Sequence, residues 1–178
     1  MRERLRLKMG DLREYVDGAL DRFLPAKSSP PSPTLHEAMR YAVLPGGKRI
    51  RPILTFLTAE ALGVPFSSAT RPACAIEIIH CYSLIHDDLP CMDDDDERRG
   101  QPTAHRAFGP AMAVLAGDAL IPLAFELICS EEAVQELGAP LSAKLAWEIA
   151  RAAGSLGMVG GQALEMDVRM GTTGANES

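Results

Sequence analysis

Apolar residues in this chain recur at helical spacing and almost never at strand spacing. Leu5, Met9, Leu12, Val16, Leu20 and Phe23 follow one another at three- and four-residue intervals, the signature of one face of an amphipathic helix. Period-two alternation is nowhere sustained, and β-branched residues are sparse. The pattern restricts the chain to an all-α fold. A first helix ends near Pro25, and the prolines at 30, 31 and 33 make residues 28–33 a loop, because they cannot hold a helical ladder. Thr34 and Glu37 then read as a capping box. That box opens a helix carrying Met39, Ala42 and Val43 inward, which stops at Pro45-Gly46-Gly47. Further helices are expected from about Arg51 to Leu62, closed by Gly63, and from Ala69 through Ile76, Ile79 and Leu84. Others are expected from Ala111 to Ile128, Leu141 to Ala153 and Met158 to Met170, with residues 98–105 as a charged loop. No internal repeat or linker divides the 178 residues, which form one domain or part of one.

The 20 residues from Pro110 to Cys129 are long and apolar enough to resemble a membrane span, but they contain Asp118 and Glu126 and lack flanking basic anchors. A buried core helix is the expectation, with no membrane span. The N-terminus has no apolar run of a secretion signal, so a cytoplasmic location is expected. Cys74, Cys81, Cys91 and Cys129 form no CxxC pair. Cys74 and Cys81 are about 10 Å apart along a helix axis, too far to bridge, and buried free thiols are expected.

Charge is concentrated rather than spread. The net charge is −6, yet seven of the 24 acids lie within residues 87–97, leaving 17 acids against 18 bases elsewhere. No basic stripe with interleaved aromatics exists, which argues against nucleic acid as a partner. The acidic run, Asp87-Asp88-Leu89-Pro90-Cys91-Met92-Asp93-Asp94-Asp95-Asp96-Glu97, follows an apolar helix directly. Its carboxylates repel one another, and a hard divalent cation such as Mg²⁺, shared with substrate phosphates, would relieve that repulsion. A solvated helix end is the plainer alternative, weakened by the apolar helix before it. On an ideal helix His80 and Asp87 share a face, whereas Asp93 points away from Asp87 and Asp94 returns to it. Pro90 can distort the turn and bring Asp93 back, so helical geometry leaves both open. A second constellation, Gly46-Gly47-Lys48-Arg49-Ile50-Arg51-Pro52, lets backbone approach a ligand while Lys48 and Arg51 converge on phosphate.

These segments, with Glu77-Ile78-Ile79-His80, Arg98-Arg99-Gly100, Pro102-Thr103, Ala116-Gly117-Asp118-Ala119-Leu120 and Gly160-Gly161-Gln162, closely resemble the trans-isoprenyl diphosphate synthases, or polyprenyl synthetases. The match runs in order from about Leu35 to Asp167. The resemblance implies a dimeric all-α bundle around a deep cavity. Its reaction joins isopentenyl diphosphate head-to-tail to an allylic diphosphate, dimethylallyl or geranyl. It implies that Asp87, Asp88 and Asp93 hold Mg²⁺ and the allylic diphosphate with Arg98. It also implies that Lys48, Arg51, His80 and Arg99 grip isopentenyl diphosphate and that Gln162 lines the site. The motif spacing is similar to the bacterial and plant short-chain group. Tyr82, large and five positions before Asp87, with the small Ser83 beside it, resembles farnesyl more than geranylgeranyl diphosphate synthases. As an alternative, Tyr82 is an ordinary core aromatic.

One departure from the family is plain. Beyond Gln162 the only acids are Glu165, Asp167 and Glu177, with no lysine, where the family carries a second aspartate-rich motif. The expectation is therefore the N-terminal part of one prenyl synthase domain over residues 1–178, with exposed apolar surface. A non-catalytic regulatory subunit is the alternative. A terpene cyclase also uses an aspartate-rich motif but has no use for an isopentenyl site.

Overall fold

The structure, a computed structural model, describes residues 2–171, with side chains from residue 8 onward. The side chain of Leu5 and the whole of Glu177 lie outside the described residues. Among them the fold is the expected helical bundle. Helix α1 (Arg2–Phe23) buries Leu12, Val16, Ala19 and Leu20 on the stripe its spacing predicts. Fully burying one such Val or Leu is worth about 1.5–3 kcal/mol, so the stripe holds α1 on the bundle. Helix α2 (Pro33–Val43) starts earlier than the capping-box reading places it. Ser32 is the N-cap, its hydroxyl oxygen accepting from the Leu35 N–H at 3.3 Å. Pro33 fills the first turn, where a missing N–H costs nothing. Thr34 thus lies inside the helix, and Glu37 faces Lys27 at 3.6 Å instead of reaching back to a cap.

Helix α3 (Ile50–Ala61) ends before Gly63, whose φ of 68° reverses the chain at a cost only glycine avoids. Helix α4 (Phe66–Asp87) is the centre of the bundle, buried along most of its length. Helix α6 (Pro110–Cys129) packs against it with a stripe of small residues, Ala113, Ala116, Gly117 and Ala124. A methyl group at Gly117 would overlap the His86 ring, so this glycine sets how closely the two helices approach. With a mean hydropathy of 1.9, α6 is long and apolar enough to cross a membrane, but its Ala-rich face is buried here against α4.

Between them, residues predicted as a loop form a two-residue antiparallel pair, β1 (Glu97–Arg98) and β2 (Gln101–Pro102), followed by the short helix α5 (Ala104–Phe108). The turn residues Arg99 and Gly100 both have positive φ, 55° and 77°, the geometry that two-residue hairpins favour. Helix α7 (Glu131–Leu137) also went unpredicted, since two turns carry no periodic stripe. Its signal was Ser130, whose hydroxyl oxygen accepts from the Ala133 N–H at 3.2 Å, ahead of Glu131 and Glu132 in the first turn. Helices α8 (Ala139–Ala153) and α9 (Met158–Arg169) close the described chain. On α9 no residue is buried, and Leu164 and Val168 are exposed together with Leu156 before it.

The cysteines are all unpaired, but only Cys74 and Cys81 are buried. Burial pushes their thiols up to about 12 and about 11. Cys91 and Cys129 are exposed, because one lies in the turn after α4 and the other ends α6 on its outer side.

Candidate active site

Helix α4 ends at Asp87, and the acidic run leaves it as a turn. The choice between Asp93 and Asp94 on an ideal helix therefore does not arise. The Asp93 N–H donates to the Asp87 carbonyl at 2.8 Å, folding Asp93 back over the helix end. Asp94 takes a left-handed φ of 52° and lies 3.9 Å from Arg106. Asp87 and Asp93 interact through space: burial raises the Asp87 pKa first, the Gln162 hydrogen bond opposes it, and the Asp93 charge raises it again.

Asp88 has a different setting. It is 3% exposed, and Arg98 Nε donates to its Oδ1 at 2.7 Å. That charge-assisted bond raises the Arg98 pKa. Arg98 also reaches Asp95 at 3.0 Å. Of the three aspartates singled out from sequence, Asp87 and Asp93 act on each other electrostatically, while Asp88 is engaged by Arg98. Helix α9 supplies two further donors. Gln162 donates its amide N–H to Asp87 Oδ1, and Arg169 donates to Asp93 at 2.8 Å while also holding Glu165 at 3.1 Å. No sequence motif singles out Arg169. Its seven-residue spacing from Gln162, which places both on one helical face, was the available signal.

The basic constellation lies on the other side of the hairpin. Adjacent hairpin residues diverge, so Arg98 turns to Asp88 while Arg99 lies over the glycine turn, donating to the Pro45 carbonyl at 3.4 Å. A Cβ on Gly47 would sit 3.1 Å from the Arg99 guanidinium carbon, so glycine is what lets this cation settle there. Lys48 and Arg51 are exposed on the same turn and the start of α3. His80 is half-buried, and its pKa is lowered by burial first and then by Arg51, with Arg99 and Arg98 adding to the effect. His80, Arg51, Arg99 and Arg98 thus converge electrostatically. Lys48 shares their turn.

Ser83 and Tyr82 are placed differently. Ser83 is buried and donates to the His80 carbonyl at 3.0 Å. Tyr82 is 7% exposed, its ring edge-on to His86 with centroids 5.8 Å apart. An apolar cleft of about 410 Å³ runs instead along the α4 face shared by Asp87, His80 and Ile76. It is walled by Ile79, Leu145, Ile149 and Met158, with Arg51, His80 and Glu148 also in its lining.

Among the described residues no three His, Cys, Asp or Glu side chains converge on one point, so the cluster is no all-protein cage. The donor set nevertheless fits Mg²⁺, which takes one or two carboxylates and completes its octahedron with water and substrate phosphate. Asp87 and Asp93 are two such carboxylates, and the charge of Asp93 already opposes ionisation of Asp87. The site combines a carboxylate edge, a cationic basin and an apolar cleft.

A pH prediction follows from His80. Its folded pKa lies below the ordinary 6.5, so protonation is harder in the folded state. Stability is intact above 6.5 and is lost as pH falls from there through the lowered value. Thermal melts between pH 7.5 and 5 are expected to fall more steeply for the wild type than for His80→Gln. Identical slopes would remove His80 as the cause.

The fold and site define an all-α bundle that sets a carboxylate edge near a cationic basin, and the comparisons give its family. The polyprenyl synthetase family model matches residues 32–176, and the chain belongs to that family. It is 46% identical over 159 residues to farnesyl diphosphate synthase of Geobacillus stearothermophilus, covering 89% of this chain and 52% of that protein. It is also 46% identical over 153 residues to the heterodimeric geranylgeranyl pyrophosphate synthase large subunit 1 of Arabidopsis thaliana, covering 86% and 40%. The crystal structure of an FPP/GFPP synthase from Zymomonas mobilis superposes with a TM-score of 0.88 at 44% identity, over 95% of this chain and 60% of that one. The fold is that of the isoprenoid synthases. The chain spans about half the length of the curated relatives it matches.

Proposed function

We propose that this chain is the N-terminal, diphosphate-binding part of a trans-prenyltransferase that condenses isopentenyl diphosphate with dimethylallyl or geranyl diphosphate. The observation that carries this reading is the hairpin that parts Arg98 and Arg99. One cation joins the carboxylate edge and the other the basin of Arg51 and His80, which makes two diphosphate subsites beside one apolar cleft. Mg²⁺ between Asp87, Asp93 and the allylic diphosphate would stabilise charge developing on the leaving oxygen. Arg98, anchored by Asp88, orients that diphosphate, and Gln162 holds the Asp87 carboxylate in place. Lys48, Arg51, His80 and Arg99 hold the second diphosphate so that its double bond faces the allylic carbon as the C–O bond breaks. The isopentenyl double bond attacks the allylic cation to form the new C–C bond, and the cation this creates loses a proton to the departed diphosphate.

The product proposed is farnesyl diphosphate, supported by the bulk of Tyr82 near Asp87. A geranylgeranyl product is the second reading, favoured by the cleft walls, which do not include Tyr82, and by relatives bearing both names. Dimerisation with a second copy is supported by apolar residues left exposed on α6, Val114 and Leu115. A further reading is a diphosphate-binding subunit that needs a partner for turnover, favoured by a relative named as the large subunit of a heterodimeric synthase. Incubation with Mg²⁺, geranyl diphosphate and labelled isopentenyl diphosphate tests these readings. Labelled C15 product is expected if the chain is competent alone. C20 product would overturn the Tyr82 argument. Binding of both diphosphates without product would assign turnover to a longer chain or a partner, and binding of neither would overturn the proposal.

A further inference from the structure

We infer that Arg49 is a positioning residue for the isopentenyl diphosphate subsite, clamping the glycine turn so that Lys48 and Arg51 face His80 and Arg99; this rests on the function proposed above. Lys48, Arg49 and Arg51 look alike as a basic run, yet the structure separates them. Lys48 and Arg51 are exposed, whereas the Arg49 side chain is wholly buried. Its guanidinium reaches three other elements. Nε donates to Asp17 Oδ1 on α1 at 2.7 Å, Nη1 to Glu77 Oε1 on α4 at 2.9 Å, and Nη2 to the Val43 carbonyl at the end of α2 at 2.7 Å. Its own carbonyl accepts from the Ile53 N–H at 3.0 Å, beginning α3.

The backbone at Arg49 is strained, with a left-handed φ of 47°, a conformation a non-glycine side chain adopts only where its surroundings over-determine it. The fork supplies that determination. A lysine could not, since an ammonium lacks the planar set of donors that reaches two carboxylates and a carbonyl together. Glu77 is itself 2% exposed and lies one helical turn before His80 on α4. The clamp therefore ties the turn bearing Lys48 and Arg51 to the helix bearing His80, and fixes the distance across which a diphosphate must be held.

Two variants of the full chain test this. In Arg49→Met with Glu77→Leu, both buried charges are replaced by apolar groups of similar volume, which keeps such cores folded. In Arg49→Lys the charge remains without the fork. In both, amide hydrogen exchange across residues 46–51 is expected to accelerate while α6 stays protected. The Kd for isopentenyl diphosphate is expected to rise roughly 10- to 100-fold, as when a residue supporting a binding group is lost. Mg²⁺-dependent binding of geranyl diphosphate is expected to stay at the wild-type value, a split that general loosening of the fold would not produce. Wild-type exchange and wild-type isopentenyl diphosphate affinity in a folded variant would overturn the clamp. Should the double variant fail to fold, the lysine variant carries the same readouts. If the wild-type chain binds no isopentenyl diphosphate, the proposed function fails. The exchange measurement still decides whether Arg49 holds the turn.

Discussion

Replacing Asp87 by alanine is expected to remove Mg²⁺-dependent binding of the allylic diphosphate, raising its Kd by at least about 100-fold, or roughly 2.7 kcal/mol. Asp87 ends α4, faces Asp93 across the fold-back of the turn, and receives the Gln162 amide. Removing it leaves Asp93, itself paired with Arg169, as the remaining carboxylate of that edge and frees Gln162 as well. The loss is specific, because Asp88 and Arg98 remain paired beneath the site and the helix end keeps its backbone bonds. Titration of the variant with geranyl diphosphate in the presence and absence of Mg²⁺ checks this. Binding that is unchanged, and still metal-dependent, would take Asp87 out of the metal edge.

The largest expected effect on stability comes from Arg49→Ala. Truncation takes from Glu77, 2% exposed on α4, the guanidinium that pairs with it, and takes from the Val43 carbonyl at the end of α2 its Arg49 donor. Breaking a buried pair by deleting one partner costs about 3–5 kcal/mol, a large share of the roughly 5–15 kcal/mol that separates folded from unfolded domains. Chemical denaturation should show a lower midpoint with little change in slope. A variant as stable as the wild type at pH 7 would show that Glu77 does not depend on Arg49.

The bundle and most of its helices were legible because burial writes a three-four period into long helices, as with Leu12, Val16 and Leu20 on α1. Short elements without a stripe, α7 and the hairpin, were not legible that way, since their form depends on a cap at Ser130 and on positive φ at Arg99 and Gly100. The candidate site shows the same division. The acidic run and the glycine turn stand out in the sequence, as do Arg98, Arg99 and Gln162. What composition cannot reveal is which charge is buried. Arg49 reads as one more solvated base, and Asp88 as one more metal-facing carboxylate, until tertiary packing encloses one with Glu77 and the other with Arg98. A signal did exist in the apolar stretch Ala75-Ile76-Glu77-Ile78-Ile79. A carboxylate enclosed that way demands a cation, and the free choice among Lys48, Arg49 and Arg51 could be made only by the fold. Tyr82 is the converse case. Its position in the motif points to a tail-blocking role, whereas its ring packs on His86 outside the walls of the cleft.

In the proposed function Asp87 and Asp93 form a metal edge that holds a prenyl diphosphate. Calorimetric titration of the wild-type chain with geranyl diphosphate tests it most directly, run once with Mg²⁺ and once with a chelator. Saturable binding with Mg²⁺ that is lost in its absence is expected. Equal affinity under both conditions would contradict it.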